Sequence, residues 1–189
     1  MIPEWSSANV LPPIRPGVQG HSPDRSPYRV SLVQVVERFA VSAERLKVLQ
    51  GLMDYRQELH RAGIGFGFQW LDGSFMEHIE ATENRPPNDV DVVSFFPLPA
   101  GMDQRQLAKD HAHLFDPEQT KARFYVDAYA CILGEPTRDY HVKAISYWYS
   151  MWSHRRDHLW KGFVQVGLSP AEDTEAKKLL DLIAEEEGR

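Results

Sequence analysis

The chain has 189 residues, of which 42% are apolar, 25% charged and 11% aromatic, a composition that fits one folded domain and excludes fibrous, collagenous and largely disordered classes. Cys131 is the single cysteine and no run of about 18 apolar residues occurs, so a disulfide, a cysteine-rich zinc site and a membrane span are all excluded within this chain, and a reducing, cytoplasmic setting is expected. The net charge is −6, but residues 170–189 alone carry −4, with seven acids against Lys177, Lys178 and Arg189; the remaining −2 does not forbid a phosphate-bearing partner.

Six of the 13 prolines (Pro3, Pro12, Pro13, Pro16, Pro23 and Pro27) fall in residues 1–30, which read as an extended arm. Trp5, Val10, Leu11 and Ile14 are apolar enough to drape that arm over a domain spanning residues 31–169. Ser31 caps a short helix through Phe39, and Ser42 a longer one in which Leu46, Leu49, Met53 and Leu59 recur at helical spacing before Gly63. In residues 64–72, Phe66, Phe68 and Trp70 alternate with Gly65, Gly67 and Gln69, the period of a strand that something approaches closely. Gly73 and Ser74 follow, then FMEHIE, which can open a helix, and the turn-forming ENRPPN.

The next strand is expected over residues 89–96, closed by Pro97 and Pro99, followed by a helix from Asp103 to about Phe115. A third strand is expected over 123–133, an aromatic helix over 141–160 and a short strand over 162–168. Ser169, Pro170 and Glu172 mark the start of an acidic C-terminal helix, residues 170–189, carrying Leu179, Leu180, Leu182 and Ile183. Helices alternating with strands indicate an α/β (α+β) domain with helices packed on a mixed sheet.

Three features carry chemistry. Asp89 and Asp91 sit two apart at the start of a strand, so both carboxylates project from one face roughly 6–7 Å apart and repel unless a cation lies between them. Asp127, within the third strand, is a natural further oxygen ligand; an ion pair with Arg123 or Lys121 is the structural alternative. Oxygen-only donors favour Mg²⁺ or Mn²⁺. Gly73-Ser74 at a strand-to-helix turn lets the backbone approach a phosphate, with N–H groups and a hydroxyl as donors.

These blocks, LDGSF, NDVDVV and YVDAYA over residues 64 to about 133, resemble the nucleotidyltransferase superfamily that includes DNA polymerase beta and the minimal nucleotidyltransferases. More narrowly, the RSPYRVSL, FQWLDGSF, RPPNDVDVVSFF and KGFVQV segments make the chain similar to an uncharacterised bacterial family of short proteins of that fold. The resemblance implies a metal-dependent nucleotidyltransferase moving a nucleoside monophosphate from an NTP to an acceptor hydroxyl. Gly73 and Ser74 would hold the triphosphate, Asp89 and Asp91 two Mg²⁺ ions, and Asp127 would complete the site that activates the acceptor. That acceptor is an RNA 3′ end, such as tRNA, or a protein side chain of a partner, as in toxin–antitoxin or defence systems. Fourteen residues separate Ser74 from Asp89, a longer spacer than in the minimal enzymes, with ENRPPN as the surface insertion. The alternative is a catalytically inactive module of the same fold that binds a nucleotide or a partner protein.

Beyond the third strand, Arg138, Lys143, Arg155, Arg156 and Lys161 are interleaved with Tyr147, Trp148, Tyr149, Trp152 and Trp160. Such a mixture can hold phosphates and stack a base, or it can be an amphipathic helix with an aromatic inner face. Lys143, Arg155 and Arg156 are the candidate nucleotide contacts. His111 with His113, and His154 with His158, are weak metal pairs lacking a third ligand, and Cys131 reads as a buried strand residue.

Overall fold

A computed structural model of the protein describes residues 1–187. Over these residues the chain is a mixed α/β domain with β1 (Tyr28–Arg29), α1 (Leu32–Phe39), α2 (Ala43–Arg61), β2 (Phe68–Asp72), α3 (Ile79–Glu83), β3 (Val90–Pro97) and α4 (Gln104–Asp110). There follow α5 (Pro117–Phe124), β4 (Val126–Leu133), α6 (Asp139–Trp152), β5 (Val164–Gly167) and α7 (Pro170–Glu187). Residues 188 and 189 of the expected C-terminal helix lie outside the described residues.

Local signals set many of these boundaries. The Ser31 hydroxyl accepts from the Gln34 N–H while the Gln34 side chain accepts from the Ser31 N–H, and the Ser42 hydroxyl accepts from the Arg45 N–H at the start of α2. β2 begins at Phe68 rather than residue 64 because Gly67, at φ 132°, is where the chain crosses β3: a Cβ there would lie 2.1 Å from the Phe95 carbonyl oxygen. The strand expected from residue 123 starts only at Val126. Asp116 caps a helix missed from the sequence, accepting from the Glu118 and Gln119 N–H groups ahead of Pro117. The expected 141–160 helix runs instead from Asp139 to Trp152, and His154 pairs back across a bridge to Trp160.

The strands form one mixed sheet in the order β1-β5-β2-β3-β4, with β1 parallel to β5, β5 and β3 antiparallel to β2, and β4 parallel to β3. Side chains two apart share a face. Leu71, Val90, Val92, Phe96, Val126, Val164 and Val166 face the main core, where they meet α1, α2 and α7. Trp70, Val93, Phe95 and Cys131 face the other way, toward Phe163 and the Trp148 and Trp152 rings of α6. The N-terminal segment lies against the domain: Ile2, Val10 and Leu11 are buried, and Trp5 stacks on His78 and donates from its indole to the Met76 carbonyl at 2.8 Å. Its distal part supplies the edge strand β1, which the sequence did not reveal.

Two fully buried arginines project from α2. Arg56 donates to both Asp173 carboxylate oxygens, to the Gly167 carbonyl at 2.7 Å and to the Gln69 side chain. Gln69 in turn donates to the Ser94 hydroxyl at 2.8 Å, and His60 Nε2 lies 2.7 Å from Asp173. Burial pushes the Asp173 carboxyl up, but His60 and Arg56 outweigh it and hold the group below the usual carboxylate range. This network pins α7 to α2 and to β2. Replacing Arg56 with methionine is expected to cost about 3–5 kcal/mol, because Asp173 and Gln69 lose their cationic partner in the interior; urea unfolding measures it. Because the Asp173 pKa is depressed on folding, its contribution is complete above the unfolded carboxylate pKa of about 4 and fades as pH falls below that.

Candidate functional site

The sheet register gathers the acids. Antiparallel pairing sets Asp72 opposite Asp91, and parallel pairing sets Asp91 beside Asp127, so the carboxylates of neighbouring strands stand in one row about 5 Å apart from strand to strand. By the two-residue repeat all of them lie on the face covered by α6, and Asp89, immediately before β3, shares that face. Asp127 is the second residue of its strand rather than a mid-strand residue, which is why it aligns with Asp91 at the sheet's end.

Crowding of like charge shows in the titration of the group at the centre. Burial, followed by the nearby Asp72, Asp89 and Asp127 carboxylates, pushes Asp91 up to about 7, with Lys161 opposing. Asp72 is pushed up to about 6, mainly by burial, with the Lys161 ammonium and the Gly73 N–H holding it down. Two lysines partly neutralise the row. Lys121, from α5, has its Nζ 3.1 Å from Asp89 Oδ2 and 2.9 Å from Asp127 Oδ2. Lys161 is buried, 2.9 Å from Asp72 Oδ1 and 3.0 Å from Glu77 Oε1. Burial disfavours its charge, but Asp72 and Glu77 more than compensate, so its pKa is raised.

Gly73 turns the chain away from β2 at φ 82°, and a Cβ there would lie 2.8 Å from Asp91 Oδ2. Only glycine allows the turn to approach the carboxylate row so closely. Ser74 opens a short 3₁₀ turn, Ser74–Met76. The buried Arg45 guanidinium fixes this segment from beneath, donating to the Phe75 carbonyl at 2.8 Å, the Glu77 carbonyl at 2.7 Å and the Glu80 carboxylate at 2.6 and 2.9 Å.

These groups line a cleft of about 530 Å³ together with Trp152, Arg155, Arg156 and Lys161, and Arg155 lies 3.5 Å from Glu77. Of the residues singled out in the sequence, Gly73, Ser74, Asp89, Asp91, Asp127, Arg155 and Arg156 all reach it. Lys143 does not: it projects to solvent from α6 and pairs with Asp139 at 2.6 Å. Asp127 pairs with Lys121 and not with Arg123, whose nearest carboxylate is Glu58 at 3.9 Å. His154 and His158 are not on a helix, and their rings are 6.4 Å apart.

Sequence reasoning missed Asp72, Glu77 and the structural part played by Lys161. The alternation that placed Phe68 and Trp70 on one face extends to Asp72, so that residue was readable; Glu77 and Lys161 meet only through the fold. A slightly larger cleft, about 580 Å³, lies between α2 and α7, where Asp173 pairs with Arg56, Arg61 with Glu58 and Lys177 with Asp181.

No three His, Cys, Asp or Glu side chains among the described residues have their donor atoms gathered as a ready cation cage. The Lys121 ammonium instead stands between Asp89 and Asp127. The donor set is nevertheless oxygen-only, and Asp91 is a carboxylate whose charged form lacks enough positive neighbours, both of which suit a hard divalent cation.

A family model described as a family of unknown function, DUF6932, matches residues 3–167, and the chain belongs to that family. Comparison with curated proteins and with solved structures gives no match.

An aspartate whose pKa rises on folding binds protons more tightly in the native state, so stability falls as pH rises from about 4 toward the Asp91 value of about 7. Asp91→Asn is expected to remove that slope and to stabilise the metal-free protein at pH 8 by on the order of 2 kcal/mol, with little effect at pH 4. Denaturant titrations of both proteins across this range give the comparison.

Proposed function

We propose that this family member is a metal-dependent nucleotidyltransferase of the minimal type, with a nucleotidyltransferase-like fold, transferring a nucleoside monophosphate from an NTP to an acceptor hydroxyl with release of pyrophosphate. The observation that carries the reading is the row of carboxylates on neighbouring strands, with Asp89 beside it, facing a glycine-serine turn that only glycine could bring so near. Asp89, Asp91 and Asp127 are the residues that would hold Mg²⁺ or Mn²⁺. Bound there, two such ions supply charge neutralisation at the phosphates and lower the pKa of the attacking hydroxyl.

The chain's own residues do the positioning. The Gly73-Ser74 turn offers backbone and hydroxyl donors to the triphosphate, and Arg155, held near Glu77 at 3.5 Å, and Arg156 line the same cleft as cations for its oxygens. Arg45 keeps the turn in place from below, and Lys161 prevents Asp72 and Glu77 from adding uncompensated charge. The acceptor is an RNA 3′ end or a partner-protein side chain, and a toxin–antitoxin or defence setting fits either.

One observation favours the second reading, a catalytically inactive module binding a nucleotide or a partner: the Lys121 ammonium lies between Asp89 and Asp127, two of the three carboxylates that would hold the cation. Incubation with α-labelled NTPs, Mg²⁺ and total RNA or lysate separates the two. Wild-type protein is expected to label RNA or protein, and an Asp89→Ala, Asp91→Ala double variant to lose roughly 10²–10³-fold or more of that activity. Absence of transfer with every nucleotide, in Mg²⁺ and in Mn²⁺, would sink the enzymatic reading; calorimetry showing nucleotide binding without a divalent ion would then support the module.

A further inference from the structure

β4 ends the sheet, and among the described residues no backbone segment pairs with its outer edge. Edge strands in soluble proteins are ordinarily shortened, charged, bulged or covered, because a free row of N–H and C=O groups recruits another strand. This edge is eight residues long, its sequence VDAYACIL contains neither proline nor lysine, and its only charge, Asp127, lies at the cleft end and is bound by Lys121. Beside it runs a groove of about 440 Å³ whose lining, including Leu107, Phe115, Ala130 and Tyr140, has no charged side chain.

α6 continues this surface. It buries a stripe that includes His141, Trp148 and Trp152, and leaves Tyr140, Tyr147 and Met151 exposed on the flank beside β4; Val142, Ile145 and Tyr149 lie on the opposite flank. The geometry points to a symmetric homodimer in which β4 pairs antiparallel with β4 of a second copy and the two α6 helices pack across the two-fold axis.

A second copy is the occupant these features match. A free strand edge is satisfied by another extended strand, and a two-fold axis supplies one of equal length with an equally uncharged edge. The α6 face is electrically self-neutral, since its charged side chains Asp139 and Lys143 pair with each other at 2.6 Å, so two such faces meet without repulsion although each chain carries −6. On the flank of α6 beside β4, Tyr140, Tyr147 and Met151 present on the order of 300 Å² of apolar surface, to which the groove side chains and the pairing of the eight-residue strand add toward the roughly 800 Å² per partner of a standard interface. Tyrosine and methionine on this flank are residue types enriched in interface cores.

Sedimentation of the full chain tests this independently of catalysis. Wild-type protein is expected at twice the 21.7 kDa chain mass. Ala130→Lys on the strand edge and the Tyr140→Glu, Tyr147→Glu pair on α6 are each expected to weaken the dimer at least about tenfold. All three positions are exposed in the single chain, and far-UV circular dichroism checks that the variants fold. A wild-type monomer at about 100 μM, a concentration at which a specific dimer of this area is formed, would overturn the proposal, whatever other polypeptide it captures. A dimer that both variants leave intact would overturn it equally.

Discussion

Strand register concentrates negative charge at one end of the sheet, and much of the surrounding structure answers to it. Two carboxylates about 5 Å apart repel by on the order of 3 kcal/mol at the effective dielectric typical of protein sites, more than one hydrogen bond contributes to stability. The countercharge comes from outside the row. α5 delivers Lys121 to Asp89 and Asp127, and the segment before β5 delivers Lys161 to Asp72 and Glu77. Asp91 is left at the centre without a dedicated partner, and burial first, then the neighbouring carboxylates, raise its pKa. A site organised this way is unfavourable for the bare protein and favourable for a cation, which is the physical sense of reading it as functional.

Such a site needs a rigid frame, and α2 supplies two fastenings. Arg45 and Arg56 are eleven residues apart, which brings them round to the same helix face roughly 16 Å apart along the axis. One ties down the turn that carries Gly73 and Ser74; the other locks α7 to β2 and to the carbonyl at the end of β5. Trp5 of the N-terminal segment adds a third restraint on the same turn through the Met76 carbonyl and the His78 ring. Each guanidinium is buried yet well supplied with acceptors, the condition under which an interior charge is tolerated.

How far the sequence disclosed this depended on whether the signal was local. Ser31, Ser42 and Asp103 act as helix caps as expected, since capping involves neighbours within three residues. The period-two spacing put Asp89 and Asp91 on one face, and the structure brings Gly73, Ser74 and Asp127 to the same cleft. Failures arose where patterns compete. Residues 117–124 begin with a proline and end with Phe124, and the third-strand reading absorbed their end although Asp116-Pro117 is also a cap followed by an N1 proline. The aromatic run after Tyr140 looked like one long helix because nothing in it marks Ser153 as the end. Lys161 was grouped with surface cations, since only the pairing of β5 with β2 carries it beneath Asp72.

The two faces of the sheet are built to different standards, and the candidate site falls on the thinner one. The main core is sealed by α1, α2 and α7, whereas the opposite face is covered by α6 through His141, Ala144, Trp148 and Trp152. That stripe is narrower than the apolar face a helix usually buries against a core. The C-terminal end of α6 and the irregular segment after it line the cleft with Trp152, Arg155 and Arg156. Whatever fixes the outer surface of α6 therefore also fixes this lining of the cleft shared with Asp89, Asp91 and Asp127. Local opening has the lowest free energy where core contacts are fewest, so the exposed aromatic surface of α6 and the geometry of the cleft are two properties of one element.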